Sequence, residues 1–251
     1  MITNTLIIMA QIGYGYGSEF QLLRFLGHHR HEFEEIISKQ IGGGVFEWED
    51  FEFANPKNVI SEDKEITGLE FLKRLYPSQY ESIEAEYKKY IRKKDWQNWD
   101  AVFTQNGTLF LVEAKAHISE LSSGKEEHGD SSKESILDYF KAQLPSLPVN
   151  RVWLQDYYQL ANRLATAALL NKHGIKTKVL YIYFVNGYRK RVLEKKGRAE
   201  ILFETVNLNA SEVDFRAAIA EEMQTLGITH DEVSDLLAPP VFVNAEPVAY
   251  K

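Results

Sequence analysis

Two acids and a lysine stand among the apolar residues of NWDAVFTQNGTLFLVEAKAH, residues 98–117. Asp100 lies in the first of two apolar runs, and Glu113 and Lys115 close the second. The Asn106-Gly107 pair between the runs is a strong hairpin signal, because both central residues of a type I′ turn need positive φ. Pairing outward from it sets Gln105 opposite Thr108, Phe103 opposite Phe110, Ala101 opposite Val112 and Asp100 opposite Glu113. Lys115 then shares the face of Glu113 and lies opposite Asn98. Directly opposed side chains sit about 5 Å apart at Cβ, so two carboxylates there repel unless a cation joins them. A hard divalent ion takes a few carboxylates plus water, which suits this pair, and Lys115 could neutralise a developing anion or hold a water. A solvated hairpin face with an ordinary surface ion pair is the plain alternative. The run TLFLVEAKA favours a strand that is buried along most of its length.

The elements around this hairpin are readable in outline. Ser18 and Gln21 resemble a capping box, followed by a helix with Phe20, Leu22, Leu23 and Leu26 on its apolar face. HEFEEIISKQIGGG reads as a second helix stopped by glycines, and VFEWEDFEF (45–53) as a strand with one wet face. Residues 61–95 read as a charged, tyrosine-rich helical insertion lying over the core, and 122–135 as a polar mobile loop. The strongest helix spans 150–174, with Asn150 as its cap and Gly174 as its stop. KVLYIYFVNG follows as a buried strand, then EILFETVNL as a strand and ASEVDFRAAIAEEMQTLG as a helix. This mixture implies an α/β or α+β fold, one domain over 1–251 with a core near 15–190 and a C-terminal helical extension over 199–251.

The chain has 251 residues, no cysteine and a formal charge of −7. The absence of cysteine excludes disulfides, thiolate zinc sites and a cysteine nucleophile, and fits a reducing compartment. The early apolar run TLIIMA is too short to span a membrane and follows no basic residues, so a cytoplasmic protein without a membrane partner is expected. The net charge argues against coating nucleic acid by bulk electrostatics. Local basic clusters do occur: Lys88, Lys89, Arg92, Lys93 and Lys94, and later Arg189, Lys190 and Arg191. Such runs are commonly solvated faces.

Asp100 preceded by Trp99, with Glu-Ala-Lys thirteen residues on at the end of an apolar strand, resembles the PD-(D/E)XK nuclease superfamily. GSEFQLLRFLGHHR, NWDAVF, LVEAKAH and YYQLANRLA resemble more narrowly an uncharacterised bacterial group within it, over roughly 15–190. Trp99 stands where the superfamily usually has proline. The resemblance implies a restriction-endonuclease-like fold, a mixed central sheet flanked by helices. It also implies hydrolysis of phosphodiester bonds with Mg²⁺ or Mn²⁺, held by Asp100, Glu113 and the backbone carbonyl of Ala114, with Lys115 beside the attacking water. Glu19 on the first helix is the candidate further acid, with Glu34 or Glu35 in reserve; a first-turn acid also simply complements the helix dipole. Superfamily members carry a glutamine on the helix after the lysine strand, and Gln155, Gln159, Asn162 and Thr166 form a polar stripe there. Gln159 and Asn162 are the candidates to orient the site or touch substrate, although a hydrogen-bonded helix face is the plain reading. His117 could meet a phosphate or a water in the second shell of the ion; His28, His29 and His31 lack the spacing of a helical zinc site.

The implied partner is nucleic acid, DNA ahead of RNA, gripped at phosphates by the basic clusters, with the 122–135 loop closing over the strand being cut. A homodimer is the default assembly, two-fold dimers being the commonest. Two rivals stand beside this reading. One is a non-catalytic nuclease-fold module that binds nucleic acid or protein, which the intact Asp, Glu and Lys argue against. The other is a nucleotide-binding protein built on the Gly-rich turn at 13–18, whose spacing matches neither the dinucleotide fingerprint nor a P-loop.

Overall fold

Asn106 and Gly107 take φ of 50° and 72°, so the hairpin turns where two adjacent residues adopt positive φ. The computed structural model describes residues 17–49, 66–92, 97–122, 130–187, 191–195, 198–202 and 210–245. The hairpin strands pair Gln105 with Thr108, Phe103 with Phe110 and Ala101 with Val112, the register that the turn dictates. The turn docks on the glycine run before it: Asn106 Nδ2 donates to the Gly43 carbonyl at 3.0 Å. A Cβ on Gly44 would meet the Asn106 side-chain amide at 2.7 Å, so a larger residue there has to displace that amide.

The central sheet is five-stranded and mixed. Its members are β1 (Glu47–Trp48), β4 (Ala101–Gln105), β5 (Thr108–Lys115), β6 (Thr177–Val185) and β9 (Val241–Asn244), in the order β1-β4-β5-β6-β9. The first three run antiparallel; β6 lies parallel to β5, and β9 parallel to β6. Small ribbons pair β2 (Ile66–Thr67) with β3 (Asn98–Trp99), and β7 (Arg191–Lys195) with β8 (Arg198–Leu202). Among the described residues eight α-helices cover the sheet: α1 (Ser18–His28), α2 (Arg30–Ile41), α3 (Leu72–Leu75), α4 (Pro77–Tyr87), α5 (Asp130–Gln143), α6 (Val152–Gln155), α7 (Tyr158–Lys172) and α8 (Glu212–Leu226).

Strand alternation divides the core in two. Phe110, Val112 and Ala114 of β5, with Leu180, Ile182 and Phe184 of β6, pack on Leu22 and Phe25 of α1 and Phe33 and Ile37 of α2. Leu109 and Leu111, with Val179, Tyr181 and Tyr183, face α5, α7 and α8. Glu113 and Lys115 share the parity of Leu109 and Leu111, so they point toward α7.

Several sequence expectations need correction. Ser18 is inside α1 rather than capping it; Gly17 is the N-cap and has no side chain to cap with. The helix expected over 150–174 breaks at Asp156–Tyr157 into α6 and α7, although Asn150 Oδ1 does accept from the Val152 N–H at 2.8 Å. Residues 130–135 open α5 rather than forming loop; 123–129 lie outside the described residues. The strand expected at 45–53 is described only as β1, an edge, since 50–53 lie outside the described residues. Ile83 and Tyr87 of the expected surface insertion are fully buried core. The C-terminal part supplies β9 to the central sheet and packs Phe215 of α8 into the core, so a core ending near residue 190 omits one strand. No helix among the described residues is long and apolar enough to cross a membrane.

Candidate functional site: a buried acid-base cluster on the central strand

At the C-terminal end of β5 the chain leaves ordinary ladder pairing. Asp100, a bend between β3 and β4, is half-buried and accepts the Ala114 N–H on Oδ2 at 2.6 Å. A carboxylate thus replaces the strand carbonyl expected at that rung, and bonds to charged acceptors are the stronger kind. In antiparallel pairing the N–H and C=O of one residue point to the same side, so the Ala114 carbonyl opens toward Asp100 as well.

Glu113 and Lys115 are 3% and 5% exposed. Lys115 Nζ donates to Glu113 Oε1 at 2.7 Å and to Gln159 Oε1 of α7 at 2.7 Å. The second Glu113 oxygen is held by a residue that sequence reading passed over. Arg163 donates to Oε2 from Nε at 3.0 Å and from Nη2 at 2.8 Å. Its Nη1 reaches Gln97 Oε1 at 2.7 Å, and Nη2 also reaches the Asn98 carbonyl at 2.9 Å. The guanidinium lies 4.8 Å from the ring centroid of Trp99, a cation–π contact. Gln97 in turn donates to Thr166 Oγ1 at 2.7 Å.

The electrostatics follow from the burial. Desolvation pushes the Glu113 carboxyl up, but the charges of Arg163 and Lys115 outweigh it and hold the group below its ordinary range. Burial pulls the Arg163 guanidinium down, and Glu113 more than restores it. Tyr181 and Tyr183, the β6 partners of Glu113 and Lys115, wall the cluster, and burial raises both phenols far above their usual value. On α8, Glu222 is 4% exposed, and burial pushes its carboxyl up to about 8 against the pull of Lys115.

The structure therefore brings Asp100, Glu113, Ala114, Lys115 and Gln159 together. Asn162 is fully buried but turns elsewhere: Nδ2 donates to the Tyr158 hydroxyl at 3.0 Å, and Oδ1 has no hydrogen-bond partner. The working stripe is Gln159, Arg163 and Thr166, at i, i+4 and i+7. Asn98 does not oppose Lys115 in a ladder; β3 swings away to pair with β2, Asn98 lies against Thr67, and only its carbonyl joins the cluster. Glu19 sits half-buried in the first turn of α1, whose apolar residues pack on the opposite face of the sheet. Glu34 accepts from Trp48 Nε1 at 2.8 Å, and Glu35 pairs with His31 at 3.3 Å. His117 lies just past β5, with Nε2 3.9 Å from Glu120 Oε1. His28 and His29 are exposed on the surface.

Of the basic clusters, Lys88, Lys89 and Arg92 are exposed after α4, and Lys88 pairs with Glu84 at 2.7 Å. Lys93, Lys94, Arg189, Lys190 and the turn residues 13–16 lie outside the described residues, and Arg191 opens β7. Arg163, Gln97 and Glu222 are the cluster members that sequence reasoning missed. Arg163 had a signal, since it stands four residues after Gln159 and three before Thr166.

Comparison with protein-family models, with curated proteins and with solved structures finds no match.

Proposed function

We propose that this chain is a metal-dependent nuclease that hydrolyses phosphodiester bonds, DNA ahead of RNA, on a restriction-endonuclease-like fold. The observation that carries the reading is the convergence on one strand end of Asp100, Glu113, the Ala114 backbone, Lys115 and a helix glutamine. A mixed sheet with an early helix on one face and a polar-striped helix on the other supports it. The donor set is chemically right for Mg²⁺ or Mn²⁺: two carboxylates and a carbonyl are hard oxygen ligands. Among the described residues no group of three or more His, Asp or Glu side chains that could hold a metal converges. When bound, the ion polarises the scissile phosphate and acidifies a water. Asp100 and Glu113, with the Ala114 carbonyl, would hold it, and Gln159 orients Lys115. Lys115 positions the attacking water and offsets charge as the phosphorus becomes five-coordinate. The exposed Lys88, Lys89 and Arg92 grip phosphates without reading sequence.

A second reading has its own observation. Both Glu113 oxygens are occupied by cations and the group is 3% exposed, as in a purely structural ion network. In that case the chain is a non-catalytic module of the same fold. A panel of labelled single- and double-stranded DNA and RNA, incubated with Mg²⁺, Mn²⁺ or EDTA, separates the two. Metal-dependent cutting by the wild type that Lys115→Ala abolishes supports the nuclease. Binding without cutting on any substrate favours the module.

A further inference from the structure

Glu113 is served by two cations that are equally buried but differently held. Arg163 makes two bonds to Glu113, one to Gln97 and one to the Asn98 carbonyl, and stacks on Trp99. A planar fork fixed at four points and against a ring leaves its place only by breaking everything together. Lys115 makes two bonds, to Glu113 and Gln159, from a flexible stem on the last residue of β5. The Arg163 contacts also reach both ligand-bearing segments: Glu113 itself, and the Asn98-Trp99 pair that leads into Asp100. Trp99, standing where the resemblance would put proline, is the platform for this clamp; it is fully buried, and its Nε1 donates to the Gly68 carbonyl at 2.8 Å.

We propose that Arg163 is the positioning residue of the site. It stays on Glu113 and holds the Asp100 segment in register, while Lys115 exchanges its bond to Glu113 for a phosphate oxygen of the substrate, beside the attacking water that it positions. This division of labour rests on the nuclease reading. It follows from charge as well as geometry. Were Lys115 the sole partner, its departure from the metal-free protein would strand a buried carboxylate; with Arg163 in place Glu113 keeps a cation.

The test compares Lys115→Met, Arg163→Met and Arg163→Lys on the oligonucleotide that the wild type cuts. Binding is measured in EDTA over a range of salt, and kcat and KM with Mn²⁺. Lys115→Met should lower the slope of log Kd against log salt by about one, the signature of one lost phosphate contact. Arg163→Met should leave that slope unchanged, yet lower kcat by about 100-fold with KM nearly constant, as misplaced groups do. Arg163→Lys, which keeps the charge and loses the fork, should recover part of kcat. If Arg163→Met fails to fold, Gln97→Leu carries the test: it removes one anchor of Arg163, and kcat should fall with the salt slope intact. An Arg163→Met protein with wild-type kcat, or one whose salt slope falls as in Lys115→Met, overturns the proposal while leaving the nuclease reading standing. A wild type that cuts no nucleic acid overturns both.

Discussion

Two carboxylates meet α7, one toward each end, and each holds two basic side chains. Glu113 binds Lys115 and Arg163 beside the first half of the helix. Glu86 of α4 binds Lys172 at 2.7 Å and His173 at 2.9 Å at the other end, with the Gln143 amide of α5 at 3.0 Å. The chemistry is alike and the setting is not. The Glu113 side chain is 4% exposed, whereas the Glu86 side chain is 18% and Lys172 60%. Glu86 even lines up with His173 and Ser82, whose Oγ lies 3.3 Å from His173 Nδ1. But the Ser82 hydroxyl donates to the Gln79 carbonyl at 2.8 Å, so it has no proton to hand to the ring. The Glu86 cluster clips three helices together at the surface. The Glu113 cluster instead gathers charge, hard oxygens and bent backbone at the end of the central strand, where packing alone would place leucine or valine.

That contrast can be broken by mutation. Glu113→Ala leaves two buried cations without their acid, and should cost about 3–5 kcal/mol of stability. Glu86→Ala, whose partner Lys172 is 60% exposed while His173 and Gln143 are not, should cost less, about 1–2 kcal/mol. Urea unfolding of both variants decides it; equal losses would make the two clusters the same kind of structural pair.

The pH dependence sharpens it further, with opposite signs for two acids. Glu222 titrates near 8 when folded against an ordinary 4.5, so the folded chain keeps a proton that the unfolded chain has lost. Its contribution is complete below 4.5 and falls away as pH rises toward 8, by at most about 1.4 kcal/mol per pH unit. Glu222→Gln should flatten stability across that window. Partial burial pushes Glu86 up, but hydrogen bonds from Lys172, His173 and Gln143 outweigh it and bring the group down to about 2. Its contribution is therefore complete above the ordinary 4.5 and is lost as pH falls toward 2. Glu86→Gln should remove that acid-side loss, seen in melts at successive pH values. The smallest effect is ionic. About 1 M salt should erase the coupling between Glu86 and Lys172 in a double-mutant cycle and leave that between Glu113 and Arg163 nearly intact.

How far such features were legible depends on whether they were local. The hairpin register was readable because Asn106-Gly107 and the alternation of Phe103, Phe110 and Val112 act over a few residues. It could not reveal that the chain bends at Asp100 and sends Asn98 to Thr67, because that pairing is set by a distant strand. The α5 helix was hidden by a polar start, Asp130 to Ser135, which only tertiary packing of Ile136, Tyr139 and Phe140 makes helical. Arg163 was overlooked because an arginine on an apolar helix reads as a solvated residue until its acid is placed 50 positions away in sequence. Glu222 sits in AEEMQTLG, where nothing marks one of two adjacent glutamates as buried. The β9 strand follows Pro239-Pro240 and reads as tail, yet parallel pairing with β6 needs no local signal.

The most direct test is Asp100→Asn. The substitution is nearly isosteric, and its side-chain oxygen can still accept the Ala114 N–H, so the fold should persist while one ionic ligand is lost. Wild-type protein should cut a labelled nucleic acid with Mg²⁺ or Mn²⁺ and stop in EDTA, and folded Asp100→Asn should fail to cut under all of these conditions. Cutting by Asp100→Asn at the wild-type rate, or no metal-dependent cutting by the wild type on any substrate, would contradict a metal-dependent nuclease.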